Sequence, residues 1–140
     1  MPTASDDVAV NKAAIIERSI RRVLEEYAND PRLANCTHID ALTLNIERAC
    51  QAAIDLAFHL CMLRQLGMPQ TSADAFRLLE RSGLIKKETA RKMTAMVGFR
   101  NVAIHEYQIL DMDVLRAIAD GGWRSLVEYL EELGLRIRVV

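Results

Sequence analysis

Residues 100 to 107 read Arg-Asn-Val-Ala-Ile-His-Glu-Tyr, a stretch in which three side-chain types suited to phosphate chemistry stand close together. A guanidinium can neutralise a phosphate, an imidazole can move a proton near neutral pH, and a phenol can hydrogen-bond or accept a modifying group. Their spacing sets a condition. On a continuous helix Arg100 and Tyr107 share a face, whereas His105 lies about 140° around the axis from Arg100. Convergence on one phosphate therefore requires a helix end, a bend or a second protomer. As a bare spacing, Arg-x4-His-x-Tyr is a weak signal that arises in many helical chains.

The remaining chemistry is sparse. His38, in the polar connection Asn-Cys-Thr-His-Ile-Asp, reads as a loop or cap residue. His59 follows Asp55 by four residues, which puts both on one helix face within hydrogen-bonding reach. That pair is either a helix-surface or buried polar contact, or a support that lines a cleft. There is no His-Glu-x-x-His, no metal-spaced cluster, no phosphate-binding glycine loop and no Gly-x-Ser-x-Gly elbow. Metalloprotease, zinc and nucleotide-loop readings lose support accordingly, and no metal or cofactor is expected. Cys36, Cys50 and Cys61 show no Cys-x-x-Cys spacing. Cys50 and Cys61 fall on one helix roughly 16 Å apart along its axis, too far for a disulfide. All three are expected as buried, reduced thiols.

The elements that must position these residues are helical. The chain has 140 residues, 51% hydrophobic and 26% charged. A domain of this size buries about two-thirds of its unfolded surface, enough for a core without disulfides or metal. With few Gly and Pro, no apolar run long enough to span a bilayer and no signal-like N-terminus, the expectation is a soluble, cytoplasmic, single domain over 1–140. A first helix should begin after Asp6 or Asp7, carry Ile16, Ile20, Val23 and Tyr27 on one face, and stop at Asn29-Asp30-Pro31. The clearest stripe, from Ile39 through Leu42, Ile46, Ala49, Ala53, Leu56 and Leu60 to Leu63, predicts a long helix ending near Gly67-Met68-Pro69. A short helix capped by Ser72 and closed by Ser82-Gly83 should follow, then one from about Lys86 to Arg100. Another should begin near Asp111, bend at Gly121-Gly122 and end before Gly134. The tail Leu-Arg-Ile-Arg-Val-Val alternates like a strand without a partner. The fold class is all-α, an up-down bundle of about five helices.

Charge is balanced overall at −1 but not locally. Seven basic and two acidic residues fall between 77 and 100, while seven acidic and two basic residues fall between 105 and 133. Either these are solvated helix faces, or a basic platform for a polyanion stands beside an acidic surface for a protein partner.

The stretch Ser-Gly-Leu-Ile-Lys-Lys-Glu-Thr-Ala-Arg-Lys-Met-Thr-Ala-Met-Val-Gly-Phe-Arg-Asn-Val-Ala-Ile-His-Glu-Tyr resembles HepT-like HEPN proteins, which carry Gly-Phe-Arg-Asn, a few apolar residues, then His-x-Tyr. The earlier Ile-Glu-Arg-Ala-Cys-Gln-Ala-Ala-Ile-Asp-Leu-Ala-Phe-His-Leu is similar to that family's second helix, including its Asp-x3-His pair; Arg48 stands where the family would have Asn. The resemblance runs from about residue 15 to 130. It implies a toxin-type ribonuclease of a toxin–antitoxin system, paired with an MntA-type nucleotidyltransferase antitoxin, dimeric and metal-independent. By position Arg100 and His105 would be catalytic, Asn101 would shape the site, Asp55 and His59 would support it, and Tyr107 would be open to modification by AMP. The implied reaction is attack of the RNA 2′-OH on the adjacent phosphate at a composite dimer site. The rival is a noncatalytic subunit that presents substrate or a surface to a nucleotidyltransferase.

Overall fold

The structure is a computed structural model that describes residues 3–105 and 111–139, and at residues 4 and 100–105 the backbone alone. After a 3-10 turn at Thr3–Ser5 come α1 (Asp7–Asn29), α2 (Cys36–Leu63), α3 (Ser72–Arg81), α4 (Lys87–His105), α5 (Met112–Ala117) and α6 (Arg124–Glu132). The all-helical reading holds, with six helices in place of about five and no strand among the described residues.

Helix α1 begins where Asp6 accepts the Ala9 N–H at 3.0 Å, a side-chain cap that answers one of the orphan donors of the first turn. Its neighbour α2 runs antiparallel. Asp6 meets His59 and Lys12 meets Asp55 at one end of the pair, and Glu26 meets His38 at the other. The shared apolar face holds Ile16, Ile20 and Val23 against Leu42, Ile46 and Leu56, all buried.

Helices α3, α4 and α6 close the other side of α2. The phenol of buried Tyr129 donates to the Ala53 carbonyl at 3.0 Å, and the ring meets Phe76 edge-on at 5.7 Å. Burial pushes that phenol well above its ordinary pKa, so it stays protonated and keeps donating. Tyr129→Phe should therefore cost about 1 kcal/mol, the usual net value of one hydrogen bond. Tyr129→Ala should cost about 3–5 kcal/mol through the cavity it leaves. Urea unfolding of the two variants would separate these terms.

Helix ends show both agreement and correction. Gly83 and Gly134 take left-handed φ of 82°, and Leu84 and Leu135 return N–H bonds to Leu79 and Leu130. Helix α3 is capped by Thr71, whose side chain accepts from the Asp74 N–H, and not by Ser72. Helix α2 stops at Leu63, before Gly67, because Gln65 adopts φ 54° and Leu66 N–H returns to the Cys61 carbonyl. At Gly121-Gly122 the expected bend is a π-helical turn over Ile118–Gly122, closed by the Trp123 N–H on the Ile118 carbonyl at 3.1 Å. The tail forms no strand among the described residues. Arg138 donates its N–H to Glu17 at 2.6 Å, and Arg21 donates to the Arg138 carbonyl, which fastens the tail to α1.

Candidate active site

Helix α4 is positioned from both ends of the bundle. Met93, Met96 and Val97 are buried on it, and the Cys50 thiol of α2 donates to the Met96 carbonyl at 3.8 Å. Near its start, Glu132 of α6 accepts the Lys86 N–H at 2.7 Å and also holds the Thr89 hydroxyl. A carboxylate at the first turn of a helix is further favoured by the helix dipole.

The predicted end of this helix near Arg100 is corrected. Helix α4 continues through His105, since Val102, Ala103 and Ile104 contain no residue that breaks a helix. Arg100, Asn101 and His105 thus fall on its last two turns. Arg100 and His105 are separated by about 7.5 Å of rise and about 140° of rotation. Tyr107 lies outside the described residues.

Asp55 and His59 do not pair with each other. The imidazole Nε2 of His59 sits 2.9 Å from Asp6 Oδ2 and 3.0 Å from Oδ1, while Asp55 takes Lys12 Nζ at 3.3 Å and Gln51 Nε2 at 2.7 Å. Both carboxylate contacts reach across to the beginning of α1. The two residues border an open groove of about 720 Å³ with Phe58, Met62, Met68 and Pro69, formed by the second half of α2 and the connection that follows it. Sequence spacing offered no sign of Asp6 or Lys12, because partners 53 and 43 positions away have no periodic relation to α2.

The Asp6 carboxyl is held below the usual aspartate range, first by its contact with His59 and then by the Ala9 N–H. A depressed carboxyl contributes stability above its unfolded pKa and loses it as pH falls through the folded value. Docking of the α1 start on α2 should therefore weaken below about pH 4, the ordinary aspartate value. Asp6→Asn should flatten that acid limb in a pH series of thermal unfolding.

His38 is a first-turn residue of α2, not a loop, and its Nδ1 lies 2.5 Å from Glu26 Oε2, which also receives Arg22 on its other oxygen at 2.7 Å. Cys50 and Cys61 are buried free thiols as expected, and burial raises the Cys61 thiol. Cys36 is corrected to exposed, because it opens α2 on the solvent side. The basic and acidic stretches are also less separate than their sequence suggests. Lys92 meets Glu128 at 3.5 Å, and Glu132 serves the start of α4. Facing α3, the exposed Lys87 and Arg91 line a groove of about 480 Å³ with Arg77.

Residues 14–133 match the family model for ribonuclease HepT-like proteins. The chain belongs to the HepT-like ribonuclease family. Among HepT-like relatives, the mRNA nuclease HepT of Shewanella oneidensis is 39% identical over 111 residues, which cover 79% of this chain and 84% of the relative. A solved structure of a tri-AMPylated Shewanella oneidensis HEPN toxin in complex with its MNT antitoxin superposes with a TM-score of 0.87 at 33% identity, covering 92% of this chain and 98% of that one. A second, a toxin–antitoxin crystal structure with AMP-PNP, gives a TM-score of 0.86 at 32% identity, covering 91% and 98%. The HepT-like match encloses both α2 and the whole of α4.

Proposed function

We propose that the chain is the toxin of a toxin–antitoxin pair, a homodimeric, metal-independent endoribonuclease of the cytoplasm restrained by a nucleotidyltransferase antitoxin. The observation that carries this reading is the unbroken course of α4 through His105. With about 140° between the registers of Arg100 and His105, a second protomer would let an Arg100 and a His105 from different copies converge on one phosphate. A two-fold axis beside the ends of two α4 helices would also supply two imidazoles, the base and the acid that a single motif lacks.

The reaction then follows from the residue types. One His105 takes the proton of the RNA 2′-OH, whose oxygen attacks the adjacent phosphorus. The O5′–phosphorus bond breaks, and the second His105 gives the leaving oxygen its proton. The products are a 2′,3′-cyclic phosphate and a 5′-OH. Arg100 stabilises the charge that develops on the phosphoryl oxygens, and Asn101, one residue on, shapes the same turn. The AMP carried by the Shewanella toxin supports a corresponding acceptor here at Tyr107.

Incubation of purified protein with RNA in excess EDTA tests the reading. Cleavage that leaves cyclic phosphate ends is the expected result; loss of cleavage with chelator would reject metal independence. Light scattering at micromolar concentration should return a dimer. A monomer that cleaves RNA would remove the composite site.

A further inference from the structure

The first half of α4 carries an exposed basic edge that leads toward its catalytic end. Lys87, Arg91 and Thr94 are exposed and border, with Arg77 of α3, the groove between the two helices. The next position on that stripe is Gly98, where an added Cβ would meet nothing within 4 Å, so the surface stays open. Lys87, Arg91, Thr94 and Gly98 are spaced by four, three and four residues, and His105 completes five turns from Lys87 in the same register. We propose that this stripe is the track along which single-stranded RNA reaches the cleavage site, with Arg77, Lys87 and Arg91 holding its phosphates. The proposal rests on the ribonuclease reading and deepens it, since it names where the strand lies beyond the scissile phosphate.

The distances suit a strand. Lys87 and His105 lie about 27 Å apart along the helix, a span that takes several nucleotides of single strand and is out of reach of two. Lys87 has no ion pair among the described residues. Arg77 pairs with Asp74 at 2.9 Å and Arg91 pairs with Glu88, both between residues three apart on an exposed face. Such pairs are weak and screened, and a guanidinium with five donors can keep one carboxylate while it takes a phosphate. Glu80 borders the same groove. Its charge opposes the strand, which gives the track a test of opposite sign.

The measurement is kcat/KM on a long unstructured oligoribonucleotide divided by kcat/KM on a dinucleotide, which is too short to reach the groove. Arg77→Ala with Lys87→Ala and Arg91→Ala should lower this ratio roughly tenfold and make the salt dependence of long-RNA binding shallower by about 2, at about 0.7 per phosphate contact. Glu80→Gln should raise the ratio, and it decides alone if the triple variant does not fold. An unchanged ratio in a folded triple variant overturns the track. The same unchanged ratio with loss of antitoxin capture overturns it too and gives the groove to an acidic protein surface. A parent inert on both substrates rejects the ribonuclease reading itself, a result distinct from an active parent with a constant ratio.

Discussion

His105→Ala should slow RNA cleavage by a factor of about 10² to 10⁴, the usual cost of removing an acid–base group. The loss should sit at the high end of that range. In a two-fold site one substitution removes both the base that activates the 2′-OH and the acid that protonates the departing oxygen. A mixed dimer with one altered copy offers a sharper test: it should be impaired nearly as much as the doubly altered one, because the reaction needs both roles at one phosphate. Arg100→Ala should be similarly harmful. Arg100→Lys keeps the charge but loses the planar fork of donors and should recover little. Unfolding midpoints near the parent value would show that these losses are chemical. If His105→Ala cleaves RNA as fast as the parent, the imidazole has no part in the reaction and the mechanism above fails.

What the chain declared in advance, and what it withheld, follows from the range of each interaction. The α2 stripe was legible because steps of three and four residues admit only one periodic structure. The ends at Gly83 and Gly134 were legible because a left-handed φ of 82° selects glycine. The end of α2 was not, since Gln65 takes φ 54° without being glycine and so left no mark in the sequence. Thr71 and Ser72 are chemically equivalent cap residues, and only the backbone chooses between them. At the site, the residue types of the motif were plain from the sequence, but the course of α4 from Arg100 through His105 was not. His59 was read against its helical neighbour Asp55, yet its partner is Asp6, brought in by the antiparallel packing of α1 on α2. Contacts made by tertiary packing between distant residues have no period to read.

Tyr107→Phe should abolish modification by the partner nucleotidyltransferase and leave the toxin uncontrolled. Tyr107 follows His105 by two residues and Arg100 by seven, so an AMP group on its phenol would be tethered beside the groups that must receive the RNA phosphate. The transfer is balanced as a nucleotidyl exchange. The phenol oxygen attacks the α-phosphorus of ATP, pyrophosphate leaves, and the phenolic proton passes to the antitoxin's base or to solvent. Each AMP adds a bulky anion, which would occupy Arg100 through a charge-assisted contact and exclude substrate by volume and by repulsion together. Phe retains the ring but removes the nucleophile, which makes it the cleaner substitution. Coexpression with the antitoxin and ATP should add AMP mass to the parent peptide that contains residue 107 and none to the Phe variant. The parent should lose cleavage in step with that mass, whereas the variant should stay active and remain toxic. An unmodified parent peptide beside full neutralisation would refute the modification and leave coverage of the cleft by the antitoxin as the means of control.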